Sequence, residues 1–182
     1  VSDVLDSVMV ALAADPARRF TYVEMAYFWR WWSTQTAATR STVAGFVASG
    51  QLTFANGGWC MHDESAPTYN DMVDQTTMGH RFLAEAFGAV PTVGWQIDPF
   101  GHSGTQGSLL GAPAGFTSLF FARSHYADYS ARANTSQLEF MWQPSASYGR
   151  DARLFTGILW GAMYAPPPLL DYDYSSFLAI PV

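Results

Sequence analysis

The sequence contains few charged residues, no basic cluster and a single cysteine. Only 13% of its 182 residues are Asp, Glu, Lys or Arg, against about a quarter in a typical soluble domain. This low fraction predicts that much of its apolar surface faces something that is absent from this chain. The net charge of −6 argues against nucleic acid as a partner, because nucleic-acid-binding proteins present a basic face. Cys60 has no second cysteine with which to form an internal disulfide.

Long apolar runs are missing as well. The most apolar stretches, 116–122 and 154–162, are too short or too interrupted by glycine to cross a bilayer, so no membrane span is expected. The chain is nevertheless 49% hydrophobic and 16% aromatic, which is ample apolar material for the core of one domain.

Helical and extended patterns alternate along the chain. The apolar periodicity predicts helices at about 4–14, 29–49, 69–87 and 103–110, and strands at 20–28, 52–55, 90–97, 116–121, 138–142 and 154–159. Pro166–Pro168 ends regular structure. This alternation predicts an α/β fold with a parallel sheet, whose ligand site lies beyond the carboxyl ends of the strands.

The strongest candidate for a functional residue is Asp98. It follows the apolar strand 90–97 and precedes Pro99 and Gly101, so a rigid strand and a stiff turn would present its carboxylate at the rim of the sheet. The alternative is an ordinary Asp that begins a turn before proline.

Other polar side chains occupy equivalent positions after strands. Asn56 and Arg123 each follow a strand, and Asp63 lies on an adjoining loop. Together with Asp98 they would supply an amide, carboxylates and a guanidinium, which could bind a polar ligand such as a sugar. The alternative is that polar residues end strands in proteins generally.

The histidines and aromatic residues give weaker signals. His102 lies four residues after Asp98. Because two ligands do not hold zinc, we expect His102 to form a hydrogen bond that supports the turn and not to contact a metal. The pair Asp63–Glu64 is typical of a helix start as well as of a catalytic pair. The aromatic cluster 27–32 favours a core or an interface over a sugar platform. Cys60 lacks the adjacent base of a nucleophile.

Several long motifs, in a fixed order, give a specific resemblance. WQIDPFGHS at 95–103, FANGGWCMHDE at 54–64 and DQTTMGHRFL at 74–83 carry it, supported by FTYVE at 20–24, FWRWW at 28–32, FFAR at 120–123 and LEFMW at 138–142. The chain resembles the α-mannosidases of glycoside hydrolase family 38, and its lysosomal or vacuolar branch most closely. The resemblance runs to about Pro168, and 169–182 match no pattern of the family.

The resemblance implies a retaining, zinc-dependent hydrolase that removes α-linked mannose from oligosaccharides in the lysosome or vacuole. Asp98 matches the nucleophile, which also contacts the zinc, and Arg123 matches an arginine beside it. Tyr164 aligns with a tyrosine that contacts substrate, while His102 and Asp63 are candidates for supporting roles. The implied fold is a distorted (β/α)7 barrel, of which 1–168 would form part of the N-terminal catalytic domain and 169–182 an irregular tail.

The resemblance also implies that one chain of this extent is incomplete. The family's His-x-Asp zinc pair belongs upstream of Val1, and its remaining zinc histidine and its acid/base aspartate belong downstream of Val182. The rest of the catalytic domain, or other chain fragments, is then the expected protein partner. The isolated chain is expected to be inactive. Two alternatives stay open: a non-catalytic carbohydrate-binding fragment, and another metal-dependent carbohydrate hydrolase such as a deacetylase.

Overall fold

A computed structural model describes residues 1–111 and 113–161. The helices are α1 (Ser2–Ala14), α2 (Met25–Ser33), α3 (Ala37–Ala48), α4 (Tyr69–Phe87), α5 (Gly104–Gly111) and α6 (Tyr126–Asn134), and a 3-10 turn covers Gly149–Ala152. The strands are β1 (Phe20–Tyr22), β2 (Leu52–Phe54), β3 (Val93–Gln96), β4 (Ser118–Phe121), β5 (Glu139–Trp142) and β6 (Leu154–Ile158). The α/β class predicted from the alternation is confirmed.

The strands form two sheets that follow one another in space. β1 and β2 pair in parallel, and the second sheet has the order β3–β4–β6–β5. A backbone hydrogen bond of 2.7 Å from Asn56 N to Val93 O joins the end of β2 to the start of β3. Within the described residues the strands therefore make an open arc rather than a closed barrel.

The expectation that all strands run in parallel is wrong for β5. β3, β4 and β6 are mutually parallel, whereas β5 runs antiparallel to β6. A parallel pair needs a long crossover, usually through a helix, and the segment between β5 and β6 contains only the short 3-10 turn. A hydrogen bond of 3.0 Å between the side chains of Arg153 and Gln143 closes this segment.

The strand predicted at 20–28 is also wrong beyond Tyr22. Met25, Phe28 and Trp31 are buried at intervals of three, which is helical spacing, and they form the inner face of α2. The helix predicted at 29–49 is in fact two helices, because Thr36 begins α3 by accepting a hydrogen bond from Thr39 N.

Helix α4 has the predicted bounds, because both of its ends are encoded locally. Thr68 and Asp71 form a capping box at its start, and Gly88 closes it in the left-handed conformation with φ of 65°. Helix α6, by contrast, was not predicted. It carries no buried residue, so its sequence lacks a strong apolar stripe.

Two apolar cores hold the described residues together. The first gathers side chains of α1, α2, α3, β2 and α4 around Phe28, and the second packs α5 and α6 against one face of the sheet that contains β4 and β6. On the opposite face Phe155 and Met141 are 41% and 61% exposed. That uncovered apolar face accords with the low charge content of the chain. None of the described helices is long and apolar enough to cross a membrane.

We predict that the contact between α4 and the loop after β2 tolerates no side chain at Gly79. A Cβ there would meet the carbonyl carbon of Gly58 at 2.7 Å, so Gly79→Ala should lower the free energy of unfolding by about 1–3 kcal/mol. Gly45 in α3 has open space around it, and Gly45→Ala should instead raise that energy by about 0.5–1 kcal/mol. Urea unfolding followed by tryptophan fluorescence measures both. Equal stability of the two variants would contradict the packing described.

Candidate functional site

The register of two parallel strands brings Asp98 and Arg123 together. Gln96, the last residue of β3, lies opposite Phe121, the last residue of β4. Asp98 and Arg123 each follow two residues later, at the same level of the carboxyl edge. The Arg123 guanidinium donates to Asp98 Oδ1 through Nε at 2.8 Å, and Nη2 lies 2.7 Å from the same oxygen.

The pair is open to solvent. The side chains of Arg123 and Asp98 are 44% and 45% exposed, and an ion pair with that exposure contributes about 0.2–1 kcal/mol to stability. Its main effect is therefore on orientation. Because both guanidinium donors reach Asp98 Oδ1, that oxygen is held in place beside a permanent positive charge.

A cleft of about 580 Å³ is lined by Arg123 of this pair and falls within the size range of ligand pockets. Arg123, Phe100, Asp128 and Arg132 are among its lining residues. Phe100 is 80% exposed, and Arg132 bonds Asp128 at 2.8 Å. The cleft thus combines an exposed aromatic ring with charged groups, which suits a polar ligand with apolar faces. A second cavity, of about 430 Å³, lies between α4 and α5 and is lined by neither residue of the pair.

His102 lies beneath the pair and bonds through both ring nitrogens. Nδ1 lies 2.9 Å from Glu64 Oε1, and Nε2 donates to the backbone carbonyl of Arg123 at 2.8 Å. The second oxygen of Glu64 accepts from Ser103 N at 2.8 Å. The His102 ring also packs on Phe121, with ring centroids 3.9 Å apart. These contacts join the loop after β2 to the turns after β3 and β4.

Asp63 stabilises its own loop. Its Oδ1 accepts the backbone N–H groups of Ser65 and Ala66, each at 2.7 Å. The hydrogen bond from Ala66, followed by that from Ser65, lowers the pKa of Asp63 below its ordinary value. The carboxylate therefore stays ionised, and the turn keeps its acceptor, in more acidic solution than an unperturbed aspartate would allow.

Asn56 has a structural role and is not grouped with the charged pair. It is 3% exposed, with a positive φ of 58°, and its Oδ1 accepts from Trp95 N at 3.4 Å. His80 Nε2 donates to its backbone carbonyl at 2.8 Å. Asn56 therefore connects β2, β3 and α4 and does not line the cleft beside Arg123.

Sequence reasoning considered Glu64 only as a possible partner of Asp63 and did not predict its bond to His102. That bond joins residues that are 38 positions apart, and no local sequence pattern predicts such a contact. The nearest signal is an acidic residue inside the 54–64 motif. Tyr164 lies outside the described residues.

The acidic and histidine side chains of the described residues form no group of three that could hold a metal ion. Asp98 is the one implied zinc ligand among them. Since a zinc site needs three or four protein ligands, the described part of the chain does not make such a site by itself.

Solved structures share the fold, among them an alpha-mannosidase and a 4-alpha-glucanotransferase. An alpha-mannosidase from Enterococcus faecalis V583 superposes with a TM-score of 0.67 at 16% identity, over 87% of this chain and 17% of that one. A 4-alpha-glucanotransferase from Thermococcus litoralis gives a TM-score of 0.62 at 11% identity, over 87% of this chain and 25% of that one. At these identities the likeness concerns the fold alone.

Curated relatives are much more similar in sequence. The chain is 54% identical to an alpha-mannosidase of Arabidopsis thaliana over 179 residues, and 51% identical to the alpha-mannosidase of Canavalia ensiformis over 173 residues. It is 49% identical to the lysosomal alpha-mannosidase of Homo sapiens over 176 residues. These alignments cover 95–98% of this chain but only 17–18% of each relative.

The resemblance inferred from the motifs is confirmed by a family profile. The profile described as glycosyl hydrolases family 38 N-terminal domain matches residues 1–178, and so extends beyond Pro168, where the resemblance carried by the motifs ends. That match includes Asp98, Arg123 and the loop that carries Glu64. The chain therefore belongs to glycosyl hydrolase family 38, as a part of that family's N-terminal domain.

Proposed function

We propose that this chain forms part of the catalytic domain of a longer α-mannosidase, which releases terminal α-linked mannose from oligosaccharides with retention of configuration. The observation that carries the proposal is the Asp98–Arg123 pair, displayed at the carboxyl edge of parallel strands beside an open cleft. The alpha-mannosidase names of its relatives support the substrate.

Asp98 has the position required of the nucleophile. Its carboxylate oxygen attacks the anomeric carbon of mannose, the bond from that carbon to the leaving oxygen breaks, and a second carboxylic acid donates its proton to that oxygen. Water then cleaves the mannosyl–Asp98 ester, with the second group now acting as base. The second carboxyl group has to lie about 5 Å from the nucleophile and is proposed to come from outside the described residues.

Arg123 would orient the nucleophile. By holding Oδ1 at 2.7–2.8 Å, the guanidinium fixes the position of that oxygen before substrate arrives, and such preorganisation lowers the barrier to attack. The same cation can donate to sugar hydroxyls in the cleft. Tyr164 is proposed to contact substrate as well.

Zinc is proposed only for the longer protein, with Asp98 as one of its ligands. When bound, the ion would orient sugar hydroxyls as a Lewis acid. The remaining ligands have to come from other segments, since the described residues supply no cluster of three.

The sheet edges and the exposed apolar face also support the proposal that this chain is only part of a catalytic domain. Among residues 1–111 and 113–161, β1 and β5 are the outer strands of the two sheets, and sheet edges that lack a partner strand there are expected to be covered by another part of the protein. We propose that residues 1–168 form an arc of a distorted (β/α)7 barrel, closed by the rest of the catalytic domain. The tail predicted at 169–182 lies outside the described residues. Lysosomal relatives support a lysosome or vacuole as the location. No observation favours a deacetylase.

We expect Asp98→Asn to lower kcat/KM of the full-length protein on a nitrophenyl α-mannoside by at least about a thousandfold, since the nucleophile is lost. Arg123→Lys should lower it about tenfold to a hundredfold, because Lys cannot make the paired contact. Asp151→Asn is the matched control: it removes an exposed carboxylate in the 3-10 turn before β6, at the opposite edge of the sheet. Full activity of the Asp98 variant would end the nucleophile assignment.

We expect the 182-residue chain alone to bind zinc weakly and to turn over no α-mannoside. The described residues offer Asp98 as the only implied zinc ligand, and the proposed acid/base group lies elsewhere. Zinc titration by calorimetry and nitrophenol release measure the two properties. Turnover by the purified chain above that of its Asp98→Asn variant would refute the incomplete-domain proposal, and a non-catalytic sugar-binding role would appear as mannoside binding without turnover.

A further inference from the structure

We propose that Glu64 and His102 are positioning residues, which act through Arg123 to set the geometry of Asp98. This inference rests on the proposed function and extends it to residues that do not touch the substrate. The observation behind it is an unbroken path of hydrogen bonds from a buried carboxylate to the exposed ion pair.

The path begins at a carboxylate removed from solvent. The Glu64 side chain is 1% exposed, and a buried acidic group is costly unless its oxygens are bonded. Oε2 accepts from Ser103 N at 2.8 Å, and Oε1 lies 2.9 Å from His102 Nδ1. Both contacts are with the turn that follows Asp98, so Glu64 anchors that turn from below.

The path continues through His102 to the partner of Asp98. His102 Nε2 donates to the Arg123 carbonyl at 2.8 Å, while the Arg123 guanidinium bonds Asp98 Oδ1. Arg123 is thus fixed at both ends, through its backbone by His102 and through its side chain by Asp98. A shift of the imidazole would move both members of the pair, because His102 bonds the Arg123 carbonyl and lies in the turn that follows Asp98.

The donors and acceptors agree with a positioning role. Because a carbonyl oxygen only accepts, Nε2 of His102 must carry a proton. A second proton then lies between Nδ1 and Glu64 Oε1. The ring is therefore held at both nitrogens and cannot flip without losing both bonds, and its packing on Phe121 adds a third restraint.

The test measures kcat, KM and melting temperature in the full-length protein. Glu64→Leu and His102→Phe remove the hydrogen bonds while keeping apolar bulk. We expect kcat and kcat/KM to fall together by about tenfold to a hundredfold, with KM within about threefold of wild type, because the loss concerns the transition state. His102→Phe keeps a ring on Phe121, so it carries the test if Glu64→Leu does not fold.

Two further variants separate positioning from general damage. Glu64→Gln can still accept from Ser103 N and can donate to Nδ1, so it should restore kcat/KM to within about threefold of wild type. His62→Gln alters a different histidine, which is buried and whose nitrogens bond Gln106 at 2.6 Å and Gln75 at 2.7 Å. It should lower the melting temperature without lowering kcat.

The outcomes distinguish this inference from the proposed function. If Asp98→Asn is inactive while folded Glu64→Leu or His102→Phe keeps wild-type kcat/KM, the positioning role is overturned and the nucleophile stands. A Glu64→Gln variant as defective as Glu64→Leu, or a His62→Gln variant as slow as His102→Phe, also overturns it. An active Asp98→Asn variant overturns the proposed function itself.

Discussion

The pairing of β3 with β4 is the constraint on which the account of the site depends. Their parallel register aligns Gln96 with Phe121, so residues two positions further along each chain emerge side by side. That alignment brings Asp98 and Arg123 close enough to form their ion pair, although they are 25 positions apart. A slip of one residue would turn each side chain to the other face of the sheet and would separate the carboxylate from the guanidinium.

The rest of the described structure keeps those two strand ends in place. Helix α4 lies so close to the loop after β2 that only glycine fits at position 79, and that loop carries Glu64 beneath the turns after β3 and β4. Two apolar cores support the strands from the helix side. The exposed pair itself contributes little to stability. The less exposed hydrogen bonds of Glu64 and His102 hold the two turns that carry it.

Local signals in the sequence predict part of this arrangement. The bounds of α4 follow from its cap at Thr68 and from Gly88, and the place of Asp98 follows from a strand that ends before proline. The segment 20–28 misleads because its apolar residues suit both a strand and a helix, and contacts with the loop after β2 decide for a helix from Met25. The direction of β5 and the contact of Glu64 are tertiary, and no local pattern encodes them.

The central claim is that Asp98 forms the bond to the sugar. The most direct measurement is to incubate the full-length protein with a fluorinated mannosyl substrate that accumulates the covalent intermediate, digest it and map the adduct by mass spectrometry. The account predicts one mannosyl adduct, on the peptide that contains Asp98, at the carboxylate of that residue. An adduct on a different carboxylate, in a protein that turns over mannosides, would contradict it.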